Sequence, residues 1–293
     1  MAPAKSGANG RVEVRKTYKL FIGGEFVRSE SGRAYLPHKI HGFRGDPLRR
    51  FDGSVNVPRG SRKDLRDAVR GARAAVARWS TRTAMNRGQI LYRAAEMLDG
   101  RRAQFVELLG SGRGAHKEVD DAVEAFVWYA GWTDKLAQVI GGTNPVSGPY
   151  FNFTIPEPTG VVGVVAPEEP ALVGLVRRVA PALCGGNTLV VLAPEVNPLP
   201  ALTLAEVLAT SDLPAGVVNV LSGFRKELLP WLASHMDVNA IDVAGCTEDE
   251  VTEIEKAAAD NVKRVVKHSP GEMSPYLIAA FMEMKTVWHP VGV

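Results

Sequence analysis

The sequence predicts an α/β protein organised around a doubly wound parallel sheet. Between residues 161 and 266 five short apolar runs recur, at Val161–Val165, Leu189–Leu192, Val217–Leu221, Ala240–Val243 and Arg264–Val266. They are continuous rather than alternating, as strands buried on both faces must be. Stretches of helical pattern, near 170–183, 199–209, 226–234 and 248–260, separate them by short connections. Strand and helix alternating in this way give a parallel sheet with helices on both faces.

The elements before this block read as follows. Residues 1–16 are small, polar and basic, have no apolar stretch of the secretory kind, and predict a flexible arm. Leu20-Phe21-Ile22 and Glu25-Phe26 flank Gly23-Gly24, a strand pair around a tight turn. Residues 28–60 are rich in Gly, Pro and Arg without a clean period and predict irregular chain. Ser61 with Asp64 forms a capping-box signal. Leu65, Val69, Ala72, Val76 and Trp79 then repeat at spacings of four and three, one face of a helix. Further helices are predicted over 84–98, 101–110 and 117–138, the last with Trp128, Tyr129 and Trp132 as packing aromatics. Tyr150–Ile155 alternates and predicts a strand. After the parallel block, Ser274–Met282 predicts a turn or two of helix, and Met284–Trp288 a closing strand.

Composition narrows the function classes. Of 293 residues 45% are apolar and 23% charged, ordinary values for a globular chain. Lys and Arg number 35 against 32 Asp and Glu, a net charge of +3, so no nucleic-acid surface is expected. No apolar run reaches the ~18 residues of a membrane span. Two cysteines, Cys184 and Cys246, argue for a reducing, cytoplasmic setting. The histidines show no metal-ligand spacing, and no metal is expected.

In a doubly wound sheet, ligands bind beyond the C-terminal ends of the strands. Those exits read Ala166-Pro167-Glu168-Glu169-Pro170, Ala193-Pro194-Glu195, Ser222-Gly223-Phe224-Arg225 and Ala244-Gly245-Cys246-Thr247. Neither GxGxxG nor GxxxxGK[ST] occurs, so no standard phosphate cradle is present. The run from Glu157 through Val161-Val162-Gly163 to Pro167 resembles the aldehyde dehydrogenase superfamily. So do Ala180–Thr188, Leu213–Gly223, Phe21–Phe26 and Trp128–Lys135. The fold this resemblance implies is the family's Rossmann-like NAD-binding domain, with N-terminal helices and an oligomerisation hairpin and tail. The implied organisation is an arm over 1–16, N-terminal strands and helices over 17–148, and an oligomerisation strand over 149–160. The parallel sheet follows over 161–270 and an oligomerisation tail over 271–293.

Position by position, the resemblance implies loss. Glu169 stands where the family's P-W-N-F-P motif has the oxyanion-binding Asn, and a carboxylate there opposes a growing negative charge. In the K-P-S-E motif Leu192 replaces the Lys and Pro194 the Ser, while Glu195 remains. Arg225 replaces a cofactor-side Gly; its length could fill the nucleotide's space, or its charge attract a phosphate. Cys246 replaces the Ser of F-T-G-S-T. Pro167, Glu195, Gly223, Gly245 and Thr247 are the residual candidates for holding NAD(P), the only cofactor implied. The general-base motif E-L-G-G is replaced by Lys267-His268-Ser269-Pro270. The segment 271–288 resembles the family's closing segment, which implies a splice near 268–271 and a missing catalytic domain. A closing strand at 284–288 is then expected beside the 150–155 strand.

For a nucleophile, Cys184 reads as packing. Cys246, before a helix N-terminus that favours thiolate, pairs in principle with His268. The function implied is an aldehyde dehydrogenase-like subunit without catalysis, partnering itself or a full-length aldehyde dehydrogenase. The alternatives are an NAD(P)-dependent oxidoreductase acting on aldehydes and a nucleotide-binding sensor.

Overall fold

The computed structural model describes residues 16–37, 55–268 and 273–292. The arm expected over 1–16 lies outside these except for Lys16, whose ammonium pairs with Glu206 at 2.7 Å. So do 38–54 of the irregular region and, of the splice expected near 268–271, residues 269–271.

The N-terminal elements are β1 (Leu20–Ile22), β2 (Glu25–Val27), β3 (Ala34–Tyr35), β4 (Val57–Pro58), α1 (Arg62–Ser80), α2 (Ala84–Gly100), α3 (Arg102–Leu108), α4 (Arg113–Ala130) and α5 (Leu136–Val139). Then come β5 (Gly142–Asn144), β6 (Tyr150–Pro158), β7 (Val161–Val165), α6 (Val173–Cys184), β8 (Thr188–Leu192), α7 (Leu199–Ala209) and β9 (Val218–Leu221). The chain continues through α8 (Arg225–Ser234), β10 (Ala240–Asp242), α9 (Glu248–Ala258), β11 (Arg264–Val266), α10 (Pro275–Ala279) and β12 (Met282–Pro290).

The main sheet has the order β11-β10-β7-β8-β9-β1-β2. The five strands from β11 to β9 are parallel, and β1 and β2 extend the β9 edge antiparallel. The chain moves outward from β7 through β8 to β9, then returns to lay β10 on the other side of β7. The topological switch point, where connections diverge and doubly wound sheets open a ligand crevice, is therefore between β7 and β10.

Both faces are covered, which is why the strands read as unbroken apolar runs. Val162, Val164, Leu189, Val191 and Val220 face the core under α2, α4, α6 and α7. Val161, Val165, Val190, Leu192 and Ile241 face the other core, under α1 and α8. Trp79, Phe105, Phe126 and Tyr129 are fully buried in the first. The Ser61–Asp64 box is formed as the sequence predicts: Asp64 N donates to Ser61 Oγ at 3.3 Å and Ser61 N to Asp64 Oδ2 at 2.8 Å. Asn187 and Asn219 tie the turns together. Asn219 Oδ1 accepts Gly23 N at 2.8 Å, pinning the hairpin of β1 and β2 to the sheet. Asn187 Oδ1 accepts Gly160 N at 2.9 Å.

Two expectations need correction. The helix predicted over 117–138 is two: α4 starts at Arg113 and stops at Gly131, and α5 follows after a turn. Apolar spacing continues through Trp128 and Trp132, but Gly131 ends the helix. The region 28–60 is not wholly irregular, since β3 and β4 pair within it.

A second sheet stands apart, in the order β12-β6-β5. β12 runs antiparallel to β6 over nine positions, from Met282 opposite Pro158 to Pro290 opposite Tyr150. Both strands are longer than the sequence indicated, and β5 is an addition. Residues 267–281 alone connect β11 to β12. Phe281 and Ile278 are buried in the core, and Arg264 Nη1 donates to the carbonyls of Ala280 and Met282 at 3.0 and 2.7 Å, so the connection is fixed at its C-terminal end.

Candidate functional site

The strand exits converge, and Arg225 is at their centre. As the first residue of α8 it extends from the β9 exit across the sheet to the switch point. Its Nη1 donates to the Gly245 carbonyl at 2.6 Å, beyond β10, and its Nη2 to the Ala166 carbonyl at 3.3 Å, beyond β7. Nη2 also bonds Glu168 Oε1 at 2.9 Å, and Nη1 lies 3.6 Å from Glu250 Oε2. The side chain is 14% exposed. Sequence reading left two roles open for Arg225; in the structure its charge is paired with Glu168 and lies close to Glu250.

The helix N-termini at the exits are occupied in the same way. Helix starts present unpaired N–H groups and a positive dipole end, the usual seat for a phosphate. At α6, Glu118 Oε1 accepts Leu172 N and Val173 N at 2.7 and 3.2 Å. Burial holds the Glu118 carboxyl above its ordinary range, against those two bonds. In the loop entering α7, Glu168 accepts Glu195 N and Val196 N at 2.9 and 3.0 Å. At α8, Glu195 Oε2 accepts Arg225 N at 2.8 Å. At α9, Glu250 and Thr247 form the predicted capping box, with Thr247 N donating to Glu250 Oε2 at 2.8 Å.

The residual cofactor candidates thus have structural work at this site. Pro167 is buried against Gly174, where a methyl group would meet Pro167 Cγ at 2.7 Å. Gly245 packs on β7 so closely that any side chain there would run into the Ala166 carbonyl oxygen. Gly223 packs on Gly60, whose N–H bonds the Ser222 carbonyl at 2.7 Å. Glu195 and Thr247 serve α8 and α9 as described. Glu169 is exposed, and its charge adds to the upward push on Glu118.

Over these exits lies a cleft of about 820 Å³ lined by Tyr35, Glu168, Glu195, Phe224, Lys226 and Glu250, with Arg225. Three carboxylates face two cations there. Burial, with Glu195 and Glu168 adding to it, raises the Tyr35 phenol, which stays protonated.

Neither cysteine is activated. Burial pushes the Cys184 thiol up to about 12. The expectation that a helix N-terminus would favour thiolate at Cys246 is overturned: burial, with Glu250 and Asp242, raises this thiol also to about 12, against the opposing pull of Arg225. His268, two residues past β11, follows the strand next to Cys246's, but the thiol it would activate is held protonated. Among the described residues no group of three or more His, Cys, Asp or Glu is placed to hold a metal ion. No helix among them is long and apolar enough to cross a membrane.

One pair escaped the sequence reading. Arg178 of α6 and Asp242 of β10 face each other between helix and sheet at 3.8 Å, both essentially fully buried. Burial raises the Asp242 carboxyl from 3.8 to about 6, opposed by Arg178 and the Ala244 N–H. Asp242 sits inside an apolar run, where period alone gives no sign of its partner.

Comparison with known proteins decides the family. The aldehyde dehydrogenase family profile matches residues 51–287. This chain belongs to the aldehyde dehydrogenase family. Retinal dehydrogenase 2 of Gallus gallus is 34% identical over 278 residues, covering 92% of this chain and 51% of that protein. Omega-crystallin of Enteroctopus dofleini is 32% identical over 270 residues, covering 87% and 51%. The NAD+ complex of aldehyde dehydrogenase from Bacillus cereus superposes with a TM-score of 0.75 at 27% identity, covering 86% of this chain and 50% of that one. HpcC from Thermus thermophilus gives 0.76 at 30% identity, covering 86% and 48%. This aldehyde dehydrogenase-family chain spans about half the length of the curated relatives it matches. Its α/β fold, with the parallel sheet and flanking helices, is that of the family structures.

Proposed function

We propose that this chain is a non-catalytic aldehyde dehydrogenase-family subunit that joins a second family chain, another copy or a full-length enzyme, through the sheet of β12, β6 and β5. The observation that carries this reading is the outer edge of β12. Its nine residues pair with β6 on one side and have no strand on the other among the described residues. An open strand edge presents a row of backbone donors and acceptors to another chain. The sheet around it is apolar and exposed on both faces. Met284, Trp288 and Tyr150 share one face, and Val287, Ile155 and Phe151 the other, with Trp288 59% and Phe151 49% exposed. An apolar patch of this kind on a folded chain marks an interaction surface.

The non-catalytic part of the reading rests on chemistry. Acyl transfer needs a nucleophile with a lowered pKa and an oxyanion donor. Both thiols here are pushed up to about 12, and Glu169 is a carboxylate.

Native mass spectrometry of the chain alone, and mixed with a full-length aldehyde dehydrogenase, tests the proposal. A dimer, higher homo-oligomer or mixed complex is expected. A monomer in both preparations contradicts it, as does aldehyde-dependent reduction of NAD(P)+ by the chain alone.

A further inference from the structure

We infer that the dinucleotide crevice at the β7–β10 switch point is closed by this chain's own side chains, with Arg225 as the occluding group, so that the chain does not hold NAD(P). A dinucleotide in a doubly wound sheet needs three things at the strand exits: free volume at the switch point, unengaged N–H donors at helix N-termini, and an electrostatic field that accepts a pyrophosphate. A cleft of about 820 Å³ lies over the exits, but at the switch point beneath it the residues present oppose each of the three.

The volume is taken first. Arg225 bridges the carbonyls of Ala166 and Gly245, one beyond each strand flanking the switch point. Gly245 itself approaches Ala166 so closely that its N–H bonds the Val165 carbonyl at 3.1 Å. The crevice floor is therefore protein.

The donors are taken next. Leu172 N and Val173 N go to Glu118, Glu195 N and Val196 N to Glu168, Arg225 N to Glu195, and Thr247 N to Glu250. The helix starts at α6, α8 and α9 and the loop entering α7 each have a carboxylate of this chain bonded to a backbone N–H.

The field follows from the same groups. A pyrophosphate entering the 820 Å³ cleft meets Glu168, Glu195 and Glu250, with Lys226 as the cation not engaged by them. Arg225 cannot turn to it without abandoning Glu168 and two carbonyls, leaving buried acceptors unpaired. An arginine that attracts a phosphate has unpaired N–H groups facing solvent; this one is 14% exposed and bonded inward.

This inference is independent of the association proposed above, since a chain that never assembles can still exclude a dinucleotide. Isothermal titration of the full chain with NAD+ and with NADP+ tests it, alongside the double variant Arg225→Gly/Glu168→Gln, which removes the occluding side chain together with the carboxylate it pairs with and so leaves the net charge of the cleft unchanged. The wild-type chain is expected to give no saturable heat into the millimolar range. The double variant Arg225→Gly/Glu168→Gln is expected to bind, with an apparent Kd lower by a factor of about ten or more. Saturable micromolar binding by the wild-type chain overturns the inference, and that arm does not depend on the variant folding. A folded Arg225→Gly/Glu168→Gln, with the wild-type circular dichroism spectrum and the wild-type lack of response, overturns the pair as the occluding group.

Discussion

The two sheets of this molecule are opposites in how far the chain itself covers their faces and edges. In the parallel sheet the strands are buried on both faces, and the exits, where a relative's ligand would be sought, are crossed by Arg225 and capped by Glu118, Glu168, Glu195 and Glu250. In the sheet of β12, β6 and β5 the reverse holds: an edge of nine residues has no strand beside it among the described residues, and aromatic side chains stand in solvent. The strand exits of the parallel sheet are bridged by the chain's own side chains, while the edge of β12 is left open.

The largest expected contrast is in stability. Trp79 is fully buried beneath the parallel sheet, so Trp79→Ala should cost about 3–5 kcal/mol of unfolding free energy. Trp288, which is 59% exposed, should change stability by no more than about 0.5 kcal/mol on the same substitution. Equal losses in urea unfolding would break the contrast between a closed region and an open one.

The next effect is pH-dependent and belongs to Asp242. Burial raises its folded pKa to about 6 from an ordinary 3.8. Between those values the folded chain keeps a proton that the unfolded chain releases. The contribution to stability is therefore full below pH ~4 and lost as pH rises to ~6, by about 3 kcal/mol at most. Urea midpoints of the wild type relative to Asp242→Asn should fall over that window. A flat difference would mean that Arg178 keeps Asp242 ionised throughout.

Glu118→Ala sharpens the picture of capped helix starts. Removing a carboxylate that accepts two N–H bonds at α6 should cost about 1–2 kcal/mol, whereas the exposed, neighbouring Glu169→Ala should cost almost nothing. The smallest effect concerns Cys246. With its thiol near 12, under about one molecule in a thousand is thiolate at pH ~7.5, so iodoacetamide should label it only on unfolding. Rapid labelling of the native chain would restore the activated thiol.

These contrasts follow what was legible in the sequence. Burial on both faces demands continuous apolar runs, so the parallel strands could be read directly, and capping at Ser61–Asp64 and Thr247–Glu250 depends on residues three apart. The break at Gly131 was hidden because apolar spacing continues past it. The exits were legible as departures from a family pattern but not as a replacement network. Glu168 lies far along the chain from Arg225, and only the strand order brings them together. The thiol of Cys246 was misread because a local rule, the helix dipole, is outweighed by burial and by Glu250 and Asp242, whose nearness to the sulfur depends on packing.

The open sheet is tested most directly by sedimentation velocity of the wild-type chain and Trp288→Glu, each alone and with a full-length aldehyde dehydrogenase. The wild type is expected to sediment as an assembly heavier than one 31.6 kDa chain in at least one of these conditions, and Trp288→Glu, with an unchanged thermal melt, as a single chain in both. Wild-type and variant chains sedimenting alike would contradict the assignment of that sheet as the interface.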